Sequence, residues 1–319
     1  MVNKNFKLKN FSISFLAIAL GLIGFTLALK KSEELFNITL LSKLILYFAE
    51  FIFLLILSIY LIKIIKYPKE FKKELNHPIK INFYPIIAKV LLILSIIYLS
   101  INMTFSRYLW ILGAILQLFF SVFILSIWIS HSKFEIHHLN PAWFIPVVGN
   151  VIAPIAGIKH GFIELSWFFF SIGLIMWLTL FIIMFNRIIF HHPIADKLIP
   201  TLFILFAPPA IAFISYVKLI GGIDPFARIL YYISLFLAIL IFAQIKVFSK
   251  IKFYLSWWAY SFPVVALTVA TILMFHKTEL VFFKYLAGTL LVTLILIISL
   301  LIYKTIIAIK KEELCVEEE

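Results

Sequence analysis

Apolar residues run almost unbroken through this chain, in stretches of roughly 20 residues or more separated by short charged or proline-bearing connections. That pattern leaves few folds open. Of 319 residues 64% are apolar and 13% charged, against about 25% charged in an ordinary soluble domain. A soluble fold has nowhere to hide that much apolar surface, so the bilayer is the solvent for most of the chain. A lipid-immersed backbone must satisfy itself as helices or as a closed barrel. Each run is far longer than the ~10-residue alternating strand of a barrel, which predicts helices.

Breaking the sequence at its connections predicts ten spans, at residues 11–29, 40–65, 83–102, 107–130, 142–159, 164–190, 199–220, 225–249, 254–275 and 279–309. The expected class is an all-α membrane protein: an N-terminal arm (1–10), a ten-helix membrane domain (11–309) and an acidic tail (310–319) expected to be solvated. The first run is too long for a signal peptide, and Lys30 and Lys31 lead straight into the next span. The single cysteine, Cys315, excludes an intrachain disulfide and a Cys-rich metal site.

Lys and Arg are about twice as frequent at the span ends on the side of both termini as at the opposite ends. By the positive-inside rule both termini are expected in the cytoplasm, with the protein multi-pass in the cell membrane. The net charge of +13 is scattered over short loops, which suits attraction to an anionic bilayer surface and not nucleic-acid binding.

Proline adds a second pattern. Pro85, Pro146, Pro154, Pro208, Pro209 and Pro263 all fall inside odd-numbered spans, Pro200 stands at the entry of the span that holds Pro208 and Pro209, and only the first odd span lacks a proline. Even-numbered spans have none in their interiors; Pro225 stands at a helix start, where it is tolerated. Proline breaks the helical hydrogen-bond ladder and kinks the helix. Broken helices at membrane depth are accepted where protein packs on them or where they line an aqueous path. The odd helices are therefore expected inside and the even ones outside, as five hairpins about one axis.

Ionisable groups at membrane depth mark transport paths. Over the boundaries above, the odd spans contain no Asp or Glu, which disfavours a cation path or a carboxylate proton relay. Lys89, four residues past Pro85, is the one charge well inside an odd span; it either draws anions inward or snorkels to the interface. Glu50 is expected to pair with a neighbouring helix or subunit, and Gln117, Gln244 and Asn150 to serve as interhelical hydrogen-bonding glue. Asn150, beside Pro146, Gly149 and Pro154, is also the best polar candidate for a pore wall. The doublets His137–His138 and His191–His192 are expected in solvated loops. No GxSxG, HExxH or phosphate-binding glycine loop occurs, so neither an enzyme nor a bound cofactor is expected.

The segment Trp257 to Pro263, WWAYSFP, resembles the pore helix of the slow anion channel and bacterial tellurite-resistance/dicarboxylate transporter family. His77–Pro78, NPAWFIPVVGN from Asn140 to Asn150 and APPA from Ala207 to Ala210 are similar to that family's patterns in the same order. The resemblance covers essentially all ten spans. It implies a homotrimer with one pore per subunit, built of five inner helices kinked near their middles and five outer ones. It also implies an aromatic pore plug at the position of Phe262. The first span departs from the pattern, having Gly21 and Gly24 where a proline is expected.

Three functions follow as expectations. The leading one is an anion channel passing small inorganic or organic anions, gated at Phe262. The alternative is a carrier of C4-dicarboxylates such as malate, or of tellurite. The third is a membrane scaffold that docks partners through its acidic tail.

Overall fold

In a computed structural model the chain is described over residues 8–39, 41–131, 134–248 and 250–315. Most of the N-terminal arm, residues 1–7, and the end of the acidic tail, residues 316–319, lie outside the described residues. Ten helices are long and apolar enough to cross a membrane, and no β-strand occurs among the described residues. They are α1 (Ile13–Phe36), α2 (Ser42–Lys66), α3 (Lys80–Tyr98), α4 (Met103–Ser130), α5 (Pro141–His160), α6 (Ile163–Phe190), α7 (Asp196–Ile220), α8 (Pro225–Ala243), α9 (Leu255–Thr278) and α10 (Val281–Lys310).

Burial separates them into two classes. The odd helices are 78–89% buried and the even ones only 28–39%, the division the prolines predict. Each odd helix touches the next, and α9 returns to α1, so the five form a closed ring. Every even helix packs against the odd helix before it and presents apolar side chains outward, such as Phe51 on α2 and Ile182 on α6.

The even helices α2, α4, α6, α8 and α10 are continuous α-helices, whereas every odd helix opens in 3₁₀ geometry. The longest such run is Asp196–Phe206 in α7, and α5 alternates between 3₁₀ and α throughout. The prolines mark the changes of geometry. Pro85 immediately precedes the α part of α3, while Pro154, Pro208, Pro209 and Pro263 stand in the first turn of theirs, where no intrahelical donor is lost. Pro146 lies in the short α segment Phe144–Val148 of α5.

Backbone oxygens near these breaks find side-chain donors instead. Gln117 Nε2 and Ser121 Oγ of α4 donate to Pro146 O at 2.7 and 2.8 Å. Trp110 Nε1 donates to Ala153 O at 2.7 Å, and Ser234 Oγ of α8 to Phe206 O at 2.7 Å. Ser215 Oγ of α7 donates to Val151 O. For Phe206 and Val151 the residue three positions on is Pro209 or Pro154, which has no N–H to offer. The outer helices, together with Ser215 of the inner helix α7, thus stabilise irregular inner backbone that lipid could not solvate.

Close approach between helices depends on glycine at α6 and α5. A Cβ at Gly173 would lie 2.6 Å from Val151 Cγ1 and 2.8 Å from the Val151 backbone nitrogen. Backbone cannot rotate out of the way, so Gly173→Ala is expected to destabilise the fold by about 1–3 kcal/mol, read as a lower melting temperature in detergent.

On the side of the termini, the short helix Pro68–Leu75 brings Glu74 against the start of α1 and the end of α2. Glu74 Oε2 pairs with Lys63 Nζ at 2.6 Å, the two side chains being 5% and 4% exposed. Oε2 also accepts from Tyr60 OH at 2.9 Å, while Oε1 accepts from Ser12 Oγ at 2.9 Å and the Ile13 N–H at 2.8 Å. Tyr60 OH in turn meets Tyr84 OH of α3 at 2.8 Å.

Among the described residues of the tail, Leu314 and Cys315 depart from the expected solvated segment. Past α10 the chain turns back, Leu314 and Cys315 are buried, and Asn10 Nδ2 donates to Cys315 O at 3.1 Å. Burial pushes the Cys315 thiol up to about 12, so it stays protonated. The reason is apolar content: Leu314 and Cys315 join the hydrophobic core.

Candidate anion conduit

Three cavities follow one another inside the ring of odd helices. A vestibule of about 460 Å³ opens on the side away from the termini, at the ends of the odd helices. A chamber of about 70 Å³ lies in the middle, and a second vestibule of about 160 Å³ opens on the side of the termini. Vestibule and chamber share three wall residues, Phe262, Ile152 and Ile211. Chamber and second vestibule share Ala17, Phe83 and Ala259. Each constriction therefore carries one aromatic ring among small or aliphatic side chains.

Phe262 stands at the second position of the α part of α9, just past the 3₁₀ turn Leu255–Tyr260. Gly24 of α1 backs the ring, since a Cβ there would lie 3.2 Å from Phe262 Cδ2. One turn earlier, Gly21 meets Trp258, its would-be Cβ being 2.8 Å from Cε3. Both glycines thus serve close packing of α1 on α9, and the α part of α1, Leu16–Phe36, is uninterrupted.

Lys89 lines the central chamber and is 7% exposed, so its side chain does not reach the interface. A charge at this depth costs about 3 kcal/mol on insertion scales, and among the described residues its Nζ makes no ion pair. Asn150 is placed otherwise than a pore-wall candidate should be. Its Nδ2 donates to Ser121 Oγ at 2.9 Å and to Val147 O at 2.6 Å, and it lines none of the three cavities. Gly149, its neighbour, is the residue in the chamber wall. Glu50 accepts from Tyr98 OH of α3 at 2.8 Å, the neighbouring-helix pairing expected of it. His137, His191 and His192 are exposed.

The vestibule away from the termini holds what a reading of the sequence alone misses. Lys30, Lys31, Lys159, Lys218 and Lys277, from the ends of four odd helices, all line it, together with His276. In the sequence each is one basic residue among several at a span end, and nothing local says that they converge. Lys30 Nζ donates to Ile97 O at 2.9 Å and Lys277 Nζ to Gly221 O at 3.0 Å. Lys159 and Lys218 carry no ion pair among the described residues. Clustered charge of one sign at a low-dielectric mouth concentrates counter-ions there.

The expectation of odd helices free of carboxylates needs correction at two helix ends. Helix α1 runs on to Phe36, so Glu33 and Glu34 belong to it, and Glu34 lines the vestibule, while α7 opens at Asp196, which lines none of the three cavities. Lys31 pairs with Glu34 at 2.7 Å and offsets its charge. No Asp or Glu lines the chamber or the inner vestibule.

Comparison with known proteins places this architecture. A family model described as SLAC1, voltage-dependent anion channel, matches residues 10–306. The S-type anion channel SLAH2 of Arabidopsis thaliana is 33% identical over 251 residues, 77% of this chain and 48% of that protein, so the chain spans about half its length. An uncharacterized transporter of Methanocaldococcus jannaschii is 28% identical over 84% of this chain and 86% of its own. The tellurite resistance protein TehA homolog of Haemophilus influenzae is 25% identical over 83% and 82%. With ten apolar helices and a family match over nearly the whole length, the chain belongs to the SLAC1 family.

Proposed function

We propose that the chain forms a passive channel for small monovalent anions, with Phe262 as its gate. One observation carries the reading: the Phe262 ring is a common wall of the basic vestibule and the central chamber, among the five buried helices. The lysines at the vestibule gather anions, the apolar walls hold them weakly, and the ring blocks passage until it rotates. A related plant protein bears the name anion channel, which supports the same assignment. Proline-broken helices Pro85, Pro146, Pro154, Pro208, Pro209 and Pro263 supply the irregular backbone around the path.

The expected assembly is a homotrimer in the cell membrane with both termini cytoplasmic, its exposed apolar even helices meeting lipid and neighbouring subunits. The test is the reversal potential of purified protein in planar bilayers under a chloride gradient. A potential near the chloride equilibrium value is expected, and one near the potassium value overturns the proposal.

A second reading, a carrier of C4-dicarboxylates or tellurite, gains from the several vestibule lysines, which could face a dianion. It loses at the chamber, where Lys89 is the single charged wall residue. Flux of chloride, nitrate and malate, with and without a pH gradient, separates the two. A channel passes the monovalent ions regardless of the gradient.

A further inference from the structure

The central chamber is bounded at one end by Phe262 and at the other by Phe83. Its wall is apolar apart from Lys89, whose side chain is more than nine-tenths buried. That side chain passes directly over Gly149, close to the Gln117 amide, whose oxygen would lie 2.9 Å from a Cβ at Gly149. Gln117 Nε2 is committed to Ser121 Oγ at 3.2 Å and to Pro146 O, while Gln117 Oε1 is buried without a partner. An ammonium group carries three donors and no acceptor. Here it faces a cavity with room for a small guest, since one water needs about 10–15 Å³ of such space.

A buried charge is retained when something compensates it, and no carboxylate of the protein lines this chamber. We propose that the chamber is a binding site for one small monovalent anion, a halide or a nitrate-like oxyanion, with Lys89 as its counter-ion. This rests on the anion-channel reading above and deepens it. Occupancy by one ion neutralises the site, so a second anion meets no free positive charge and transport proceeds one ion at a time. A C4-dicarboxylate brings two charged ends to a single cation and leaves one unpaired. Gly149 is part of the device, because any side chain there displaces the lysine stem.

Two measurements on the full-length protein test this. Bromide-soaked crystals are expected to show anomalous density beside Lys89 Nζ in the wild type and none there in Lys89→Met. In planar bilayers, wild-type chloride current is expected to saturate with concentration. Lys89→Met should raise the half-saturating concentration roughly tenfold or more, with Lys89→Arg keeping it near the wild-type value. A wild-type chamber empty of bromide at concentrations that saturate the current overturns the site, and so does an unchanged half-saturation in a folded Lys89→Met. Either result leaves anion-selective reversal potentials intact, whereas a cation-selective wild type removes the channel reading itself. If Lys89→Met fails to fold, the wild-type bromide map and the Lys89→Gln current decide by the same outcomes.

Discussion

Replacing Phe262 by alanine is expected to raise single-channel anion conductance in planar bilayers by roughly tenfold or more, a barrier reduction of about 1.4 kcal/mol. Vestibule and chamber meet at Phe262, Ile152 and Ile211, and the first is the bulkiest of the three. An apolar ring in a narrow passage displaces water that an ion would otherwise carry with it. Truncation to a methyl group joins the two spaces while leaving the packing of α9 on α1 largely in place, because Gly24 and Val265 meet beside the ring. Phe262→Trp should act in the opposite sense. An unchanged current from correctly assembled Phe262→Ala would move the stop elsewhere, with the Phe83 constriction as the remaining aromatic candidate.

The second large effect concerns stability. Glu74→Ala is expected to destabilise the protein by about 3–5 kcal/mol, because it leaves Lys63 charged and buried without its partner. Glu74 receives four hydrogen bonds from the start of α1 and from α2, so its loss unties both from the Pro68–Leu75 helix. Thermal unfolding in detergent should show a fall on the order of 10 °C. The double variant Lys63→Met with Glu74→Leu should recover much of that loss, since an apolar pair needs no compensation. A single-variant shift within a degree or two would mean that water already reaches the pair.

Much of this architecture is readable from residue order. Hydropathy alone places all ten helices, and proline on the odd runs separates buried from exposed ones, because a broken ladder is tolerable only within protein. Boundaries are less legible. The 3₁₀ openings carry α3 back to Lys80 and α7 back to Asp196, since their charged first residues look like loop. Helix α1 extends beyond Leu29 to Phe36, because Lys30 and Lys31 sit on helical turns at the vestibule and not in a connection. Lys89 is recognisable as the one deep charge, but whether it turns outward or inward depends on Gly149, fifty and more residues away. The Glu74 network could not be read at all. A glutamate in a charged loop, KEFKKEL, gives no local sign of being buried by Ser12, Tyr60 and Lys63.

The 3₁₀ openings of the odd helices have a consequence for which changes the conduit can absorb. In such a helix side chains three positions apart eclipse one another, and the wall on the side of the termini obeys that spacing. Leu198, Thr201 and Ile204 line it from the run Asp196–Phe206 of α7, and Ser256 and Ala259 from the run Leu255–Tyr260 of α9. Beyond Phe262 the spacing relaxes to threes and fours, as in Ile211, Ile214 and Lys218. A straight column of this kind tolerates exchange of its members but not a change of count. Adding or removing one residue swings everything on the near side of the edit by about 120°, turning the whole column away from the axis and presenting its neighbours to the ion.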